Sequence, residues 1–379
     1  MDAVSVLVFN AGSSTIKFSL FAGRSMELSA GETLEDPPAD AVEKIVSSIR
    51  DVLAEDPVSA VGHRVVHGGG RFKESVRIDD RVLGEISGLS KLAPLHNPPA
   101  VDTIVAAQRA VPDVPHIAVF DTAYFSDLPP ERHVYPLPYE WYEKHGIRRF
   151  GFHGISHAYC AGRAAEFLGR PSGGFRVVTC HLGNGCSATA SLGAKAVATT
   201  MGFTPLEGLM MGTRAGSVDP GILFYAMERM GLSPRELEQT LLRGSGLLGV
   251  SGISSDFRTV REAAREGNMR ARLALAIYAE SVRTAVGGLA AALGGVDALV
   301  FTAGVGENAA ELREEACRGL ECLGLRLDPG RNRALRPDAD LSGDGPGGRI
   351  LALRTREDLH IAREALEGAA GFISRPGLP

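Results

Sequence analysis

Apolar positions along the chain form continuous runs broken by small residues. An apolar run from Val4 to Phe9, with Ser5 its one polar position, stops at Asn10 and resumes in alternation at Ile16, Phe18 and Leu20, with Lys17 and Ser19 on the other face. That pattern predicts a strand, a tight turn and a returning strand. It recurs about 170 residues later at 177–189, Val-Val-Thr-Cys-His-Leu-Gly-Asn-Gly-Cys-Ser-Ala-Thr, and two such hairpins predict a duplicated architecture with one small-residue turn in each half and a ligand cleft between them.

Between and beyond the hairpins the pattern changes period. A helical pattern covers 40–53, and a β-rich run at 60–70 carries Arg64 and ends in three glycines. Residues 92–99 read as a rigid Pro-containing loop before a helix at 100–110, and 116–120 as a strand ending in Asp121 and Thr122. Ser233-Pro-Arg-Glu236 is a capping box with Pro at the first helical position and Gly244 at the helix end, and 269–293 is a long Ala-rich helix with most of its bulk on one face. A buried strand from Asp297, a glycine turn and a helix at 309–323 follow. After a Gly/Pro/Asp-rich loop at 341–348 comes a strand at 349–353. Thr355-Arg-Glu-Asp358 then reads as a second capping box, opening the last helix, with Glu357 complementing its dipole.

A length of 379 residues exceeds the reach of one hydrophobic core, so two domains are expected. The net charge of −5 carries mixed signs and no long block of one sign, which argues against a nucleic-acid partner. No apolar run reaches about 18 residues and no basic leader precedes the first strand, so a soluble cytoplasmic protein without a membrane partner is expected. Five cysteines without CxxC spacing suit reduced, buried thiols. Only six of the forty basic residues are Lys, which singles out Lys17, and nine of the ten histidines lie between His63 and His181, where chemistry is therefore expected.

The first turn, with Asn10, Gly12, Ser13, Ser14 and Thr15 facing Lys17, offers N–H groups and hydroxyls to an anion, although an ordinary edge hairpin uses the same residues. Arg64 inside an apolar run either faces water on an edge strand or is paired in the interior, because an unpaired buried Arg is costly. His153, His157 and Cys160 have helical spacing for zinc but lack the Glu after the first His that a metalloprotease requires. The segments 244–249 and 343–348 match GxGxxG by letter, but the first follows a helix and the second precedes its strand, so neither has the dinucleotide-binding context. No Gly-Lys pair exists for a Walker A loop, and no His-Arg-Asp for a protein-kinase loop.

Ten collinear stretches nevertheless share one pattern. They are Asn10-Ala-Gly-Ser-Ser, Gly62-His-Arg-Val-Val-His-Gly-Gly, Leu92-Ala-Pro-Leu-His-Asn-Pro, Val119-Phe-Asp-Thr-Ala, Gly151-Phe-His-Gly-Ile-Ser-His, Thr179-Cys-His-Leu-Gly-Asn-Gly, Met201-Gly-Phe-Thr-Pro-Leu-Glu-Gly-Leu, Met211-Gly-Thr-Arg, Ser255-Asp-Phe-Arg and Phe301-Thr-Ala-Gly-Val-Gly-Glu-Asn. Together the chain resembles the acetate kinases, within the acetate and sugar kinase, heat-shock chaperone and actin superfamily. It departs from them in a shorter polar segment at 22–60, in Thr15 where Ser is usual, and in Arg354-Thr-Arg-Glu where Pro-Thr-Asn-Glu is usual.

The resemblance implies an α/β protein of two actin-like (ribonuclease H-like) domains with a nucleotide cleft between them. The first would be 1–124 with the returning helix 359–379, the second 125–358, in a homodimer. It implies reversible transfer of the γ-phosphoryl group of ATP to acetate, giving ADP and acetyl phosphate, with Mg2+ or Mn2+. Asn10 and Glu357 would organise the metal and Lys17 would approach the phosphates. His181, Leu182, Gly183, Asn184, Gly185, Asp256, Phe257, Arg258, Gly304, Val305, Gly306, Glu307 and Asn308 would hold the nucleotide. Arg64 would bind acetate, with Asp121, His153 and Arg214 also catalytic, and Val66, Leu95, Phe152 and Pro205 would enclose the methyl group.

The chemistry favours these residue types. A carboxylate with a pKa of about 4 to 5 is already a nucleophile at neutral pH, so the barrier is repulsion between anions. Arginines, a metal and an imidazole donor answer that need, whereas a proton-abstracting Asp121 does not; Asp121 is expected to position the metal through water and to orient an Arg. The nearest alternative is a propionate or other short-chain acyl kinase. An actin- or chaperone-like ATPase would leave Arg64, His96, His153 and Arg214 without a role.

Overall fold

The structure, a computed structural model, describes residues 5–373 apart from 13–14, 24, 39, 50–56, 94–95, 172 and 335. The chain divides into two compact units, one of Met1–Ser126, Phe152–Ser156 and Arg356–Pro379, the other of Asp127–Gly151 and His157–Thr355.

The first unit contains β1 (Ser5–Ala11), β2 (Thr15–Ala22), β3 (Glu27–Glu35), β4 (Val58–Val65), β5 (Val76–Arg77) and β6 (His116–Phe120), in the order β3-β2-β1-β4-β6-β5. β1, β4 and β6 run parallel, and the others join antiparallel. The continuous apolar run of β1 is explained by burial of both faces. Val6 and Val8 pack toward Ile361, Ala362 and Ala365 of the final helix, and Leu7 and Phe9 toward Val42, Ile45 and Ala107. Gly62 admits that final helix to β4, since a Cβ there would stand 2.7 Å from Ile361 Cγ2.

The second unit contains β7 (Arg176–Leu182), β8 (Cys186–Leu192), β9 (Lys195–Thr199), β10 (Ala298–Thr302), β11 (Ala339–Asp340) and β12 (Arg349–Ala352). Its sheet order, β9-β8-β7-β10-β12-β11, repeats that of the first unit strand for strand, with the same parallel and antiparallel pairs. The α/β class and the duplication read from the two hairpins are therefore both present. One side of this sheet packs Val177, Ala298, Val300 and Leu351 on Cys160 and Ala164, and the helix Met269–Leu293 contacts β7, β8 and β9.

Several elements differ from their sequence reading. The expected division places 152–156 with 125–358, whereas Phe152–Ser156 joins the first unit, where Ile155 packs with Val119 and Ile361. The helix expected at 100–110 starts earlier, at Asn97–Ala110, because prolines fit its first turn. The helix expected at 40–53 is Ala41–Ser48, and residues beyond 49 lie outside the described ones until 57. The glycine turn after β10 is itself helical, Ala303–Asn308, and the expected helix 309–323 is split into Ala310–Cys317 and a 3-10 turn, Leu320–Leu323. The Ser233 capping box forms in full. At the second box, the Thr355 N–H donates to Glu307 Oε1 at 3.1 Å. The helix Met269–Leu293 has its expected ends, but its buried face is largely alanine with Tyr278, Val282 and Val286, while Met269, Leu273 and Ile277 are exposed.

Candidate active site

In the first unit the candidate residues gather at the carboxyl ends of the parallel strands, where open α/β sheets place ligands. Arg64 lies on β4 between β1 and β6, so it is not the exposed Arg of an edge strand. Its Nη2 meets Asp121 Oδ2 at 2.7 Å, and its Nη1 donates to Asn10 Oδ1 at 3.1 Å and lies 4.0 Å from Glu357 Oε2. Asn10 Nδ2 donates to Glu357 Oε2 at 3.3 Å, closing a ring of four polar side chains from β1, β4, the end of β6 and the last helix. Burial opposes charge on Arg64, but Asp121 and Glu357 outweigh it and hold the guanidinium above its ordinary range. Burial pushes the Asp121 carboxyl up from its ordinary value against the pull of Arg64.

Two atoms in this ring, Asp121 Oδ1 and Arg64 Nε, are buried without a hydrogen-bond partner among the described residues. Such atoms are rare in finished interiors and mark places where a further group belongs. The available oxygens, on Asn10, Asp121 and Glu357, are the hard donors that suit Mg2+, an ion that takes one or two carboxylates and completes its shell with water and phosphate. Lys17, cross-strand partner of Asn10, is half exposed and meets Asp358 Oδ2 at 3.5 Å, which also accepts from Ser19 Oγ at 3.2 Å.

Val66 and Phe152 are buried, and Phe152 stands edge-on to His67 with ring centroids 5.5 Å apart. Asn97, fully buried, clamps the His67 backbone with two bonds of 3.1 Å, giving the Leu-His-Asn-Pro stretch a structural task. Burial pushes the His67 imidazole down to about 4, leaving it neutral at physiological pH. His153 has a left-handed backbone, φ 58°, which is strained for a non-glycine residue, and a Cβ on its neighbour Gly154 would stand 2.0 Å from the Asp121 carbonyl oxygen. Leu95 lies outside the described residues.

The second unit holds a cavity of about 820 Å3 lined by Gly183, Asn184, Asp256, Phe257, Arg258, Gly304, Val305 and Asn308, with Leu247, Ser255, Arg261 and Ala309. Of these, Arg261 and Ala309 carry no motif signal, and only folding brings them to the wall. The turn between β7 and β8 supplies one wall and the helix start after β10 another, an arrangement that presents backbone N–H groups to an anion. Of the remaining predicted residues in this unit, His181, Leu182, Gly185, Gly306 and Glu307 are not among those that line the cavity. Glu307 is engaged by the N–H groups of Ala303 and Thr355 at 3.0 and 3.1 Å, so it fixes the turn. Asp256 caps the helix Phe257–Arg265, accepting from Arg258 N at 2.7 Å, and its carboxylate folds the Arg258 guanidinium back at 2.8 Å. His157, with the metal spacing noted above, bonds Thr179 Oγ1 at 2.6 Å and Ser187 Oγ at 2.7 Å, and Cys160 reaches Thr302.

Arg214 is half-buried, donates to the Pro205 carbonyl at 3.3 Å, and has no carboxylate partner among the described residues. Burial holds its pKa below the ordinary arginine value, the Cys186 thiol opposing. Its loop is braced by the GxGxxG-like segment: Ser245 N, Leu247 N and Leu248 N donate to the carbonyls of Thr213, Met211 and Gly212 at 2.9, 2.9 and 3.0 Å. Gly246 has φ 62°, and a Cβ there would stand 2.2 Å from the Met211 carbonyl oxygen. The segment rejected as a nucleotide motif is thus the support of Arg214.

Comparison with known proteins agrees with this assembly. The acetokinase family profile matches residues 32–363. The chain belongs to the acetokinase family. It is 45% identical to the acetate kinase of Methanosarcina acetivorans, over 96% of this chain and 97% of that one. The acetate kinase structure from Porphyromonas gingivalis superposes with a TM-score of 0.90 at 38% identity, covering 96% of this chain and 99% of that one. A propionate kinase structure from Francisella tularensis gives 0.88 at 35%, covering 97% and 100%. The expected pair of actin-like α/β domains is the fold shared with these acetokinases.

Proposed function

We propose that this chain transfers the γ-phosphoryl group of ATP to acetate, reversibly and directly, forming acetyl phosphate and ADP. The observation that carries the reading is the sequence match to acetate kinases across nearly the whole chain. In the first unit, Arg64 binds the acetate carboxylate and neutralises its repulsion toward phosphate. Val66 and Phe152 bound the methyl group. His153 donates to the transferring phosphoryl oxygens, and Arg214, a cation without a carboxylate partner, supplies the charge that builds on them.

The glycine-lined cavity takes the nucleotide, Gly183 and Asn184 facing phosphates and Phe257, Gly304, Val305 and Asn308 the nucleoside. Lys17 offers its ammonium to the phosphate chain. Asn10 and Glu357 would hold Mg2+, with Asp121 acting on it through water, and the ion would neutralise phosphate charge. Asp121 fixes the Arg64 guanidinium and abstracts no proton.

Acetate is preferred over propionate, although the likeness to a propionate kinase structure makes the longer acid the natural second substrate. Hydroxylamine trapping of the acyl phosphate with acetate, propionate and butyrate tests both points. Trapped product with acetate at the highest efficiency is expected; ATP consumption without any acid would instead indicate an ATPase. The protein acts in the cytoplasm as a homodimer. Large apolar side chains left exposed on the helices Pro220–Arg229 and Met269–Leu293, among them Ile222, Phe224, Tyr225, Leu273 and Ile277, give a second copy a surface to cover. Sedimentation of the wild type and of Phe224→Glu measures this, the variant being expected to dissociate.

A further inference from the structure

Tyr278 is fully buried in the long helix of the second unit, whose other buried residues are alanines, valines and Leu289. A phenylalanine would fill the same space without the cost of desolvating a hydroxyl, so the hydroxyl calls for a purpose. Its partner is Cys186 Sγ, 2.9 Å away and equally buried. The same thiol lies 3.3 Å from the Gly183 carbonyl oxygen, and the Gly183 N–H donates to Gly185 O at 3.0 Å, closing the turn between β7 and β8. A thiol has one proton; given to the Gly183 carbonyl, it leaves sulfur to accept from the tyrosine O–H. The Tyr278 ring also meets Phe257 edge-on, with centroids 5.8 Å apart.

Gly183 and Phe257 are two walls of one cavity, and Tyr278 touches both sets of supports. We propose that Tyr278 is a positioning residue for the nucleotide: through the Cys186 thiol it sets the phosphate-facing turn, and through Phe257 it ties that turn to the nucleoside-facing helix. Neither group takes charge in this role, since burial pushes the Cys186 thiol up to about 11 and holds the Tyr278 phenol well above its ordinary value. The pair is a neutral relay from the helix Met269–Leu293 to the phosphate turn. It contributes to order in the turn and leaves the acid-binding residues of the first unit untouched.

The inference rests on the cavity being the nucleotide site, and the test separates the two. Titrating ATP with Mg2+ into the wild-type protein by calorimetry, without acetate, establishes the site; absence of binding overturns both the site and the inference. If the wild type binds, Tyr278→Phe, which keeps the ring, is expected to weaken ATP binding by about 3- to 10-fold, the worth of one neutral hydrogen bond. The KM for acetate is expected to stay within about 2-fold, the experimental scatter of such a comparison. Cys186→Ala is expected to match Tyr278→Phe, and the double variant to be no worse than the poorer single one, because the two act through one chain of bonds. Wild-type ATP affinity in both single variants, with or without a lowered melting temperature, or an equal rise in the acetate KM, overturns the inference.

Discussion

At the scale of single residues, the decisive fact is how Arg64 and Arg214 differ in their surroundings. Arg64 is embedded among Asp121, Asn10 and Glu357, while Arg214 contacts a carbonyl and has no carboxylate among the described residues. One is a cation fixed inside a ring of polar groups, the other a cation with no carboxylate beside it among the described residues. Replacing either by Ala is expected to lower turnover or efficiency at least 100-fold, a barrier increase of about 2.7 kcal/mol, measured by steady-state hydroxamate assay. Near-wild-type kinetics for either variant would remove it from the mechanism. Substrate choice is a smaller effect. Val66→Ala enlarges the wall beside Arg64, and a methylene in such a pocket is worth about 1 to 3 kcal/mol. The propionate-to-acetate efficiency ratio is therefore expected to rise, and an unchanged ratio places the methyl pocket elsewhere.

At the scale of elements, the loop bearing Arg214 and the segment 244–249 form one unit. Gly246 needs its positive φ and its missing Cβ together, because the Met211 carbonyl occupies the space a side chain would take. Gly246→Ala is expected to lower turnover by at least about 10-fold while Arg214 itself is retained, as left-handed strain of about 1 to 2 kcal/mol adds to the clash. Wild-type turnover with normal folding by circular dichroism contradicts this support role. The sequence marked this segment only as a failed dinucleotide motif, since its hydrogen-bond partners lie some thirty residues away and no local pattern reports them. The hairpins were legible for the opposite reason: β1 with β2 and β7 with β8 are local pairs whose alternation states their register.

At the scale of the molecule, four buried histidines set a pH limit on folding. His63 and His157 are held well below their ordinary pKa by burial, His116 is lowered, and His67 is brought down to about 4. Unfolded, each titrates near 6.5, so as the pH falls below 6.5 the unfolded chain binds protons that the folded one does not, down to about 4 for His67. Stability is therefore expected to fall as pH drops through this window, by up to about 1.4 kcal/mol per pH unit for each histidine. Urea unfolding at pH 7.5, 6.5 and 5.5 measures it, and a midpoint constant across the series refutes it.

The amino-acid sequence determined the α/β class, the duplication, the family and the residue types of the site, because these rest on local periodicity and on motifs that are contiguous in the chain. The tertiary structure decided what those residues do to one another. It placed Arg64 inside a sheet rather than at its edge, turned Asp256 into a helix cap and Glu307 into a staple, and set Phe152–Ser156 against Asp121. It also joined Tyr278 to the phosphate turn across 92 positions of sequence. Each outcome depends on contacts between residues far apart in the chain, where burial and hydrogen-bond satisfaction, not local pattern, choose the partner.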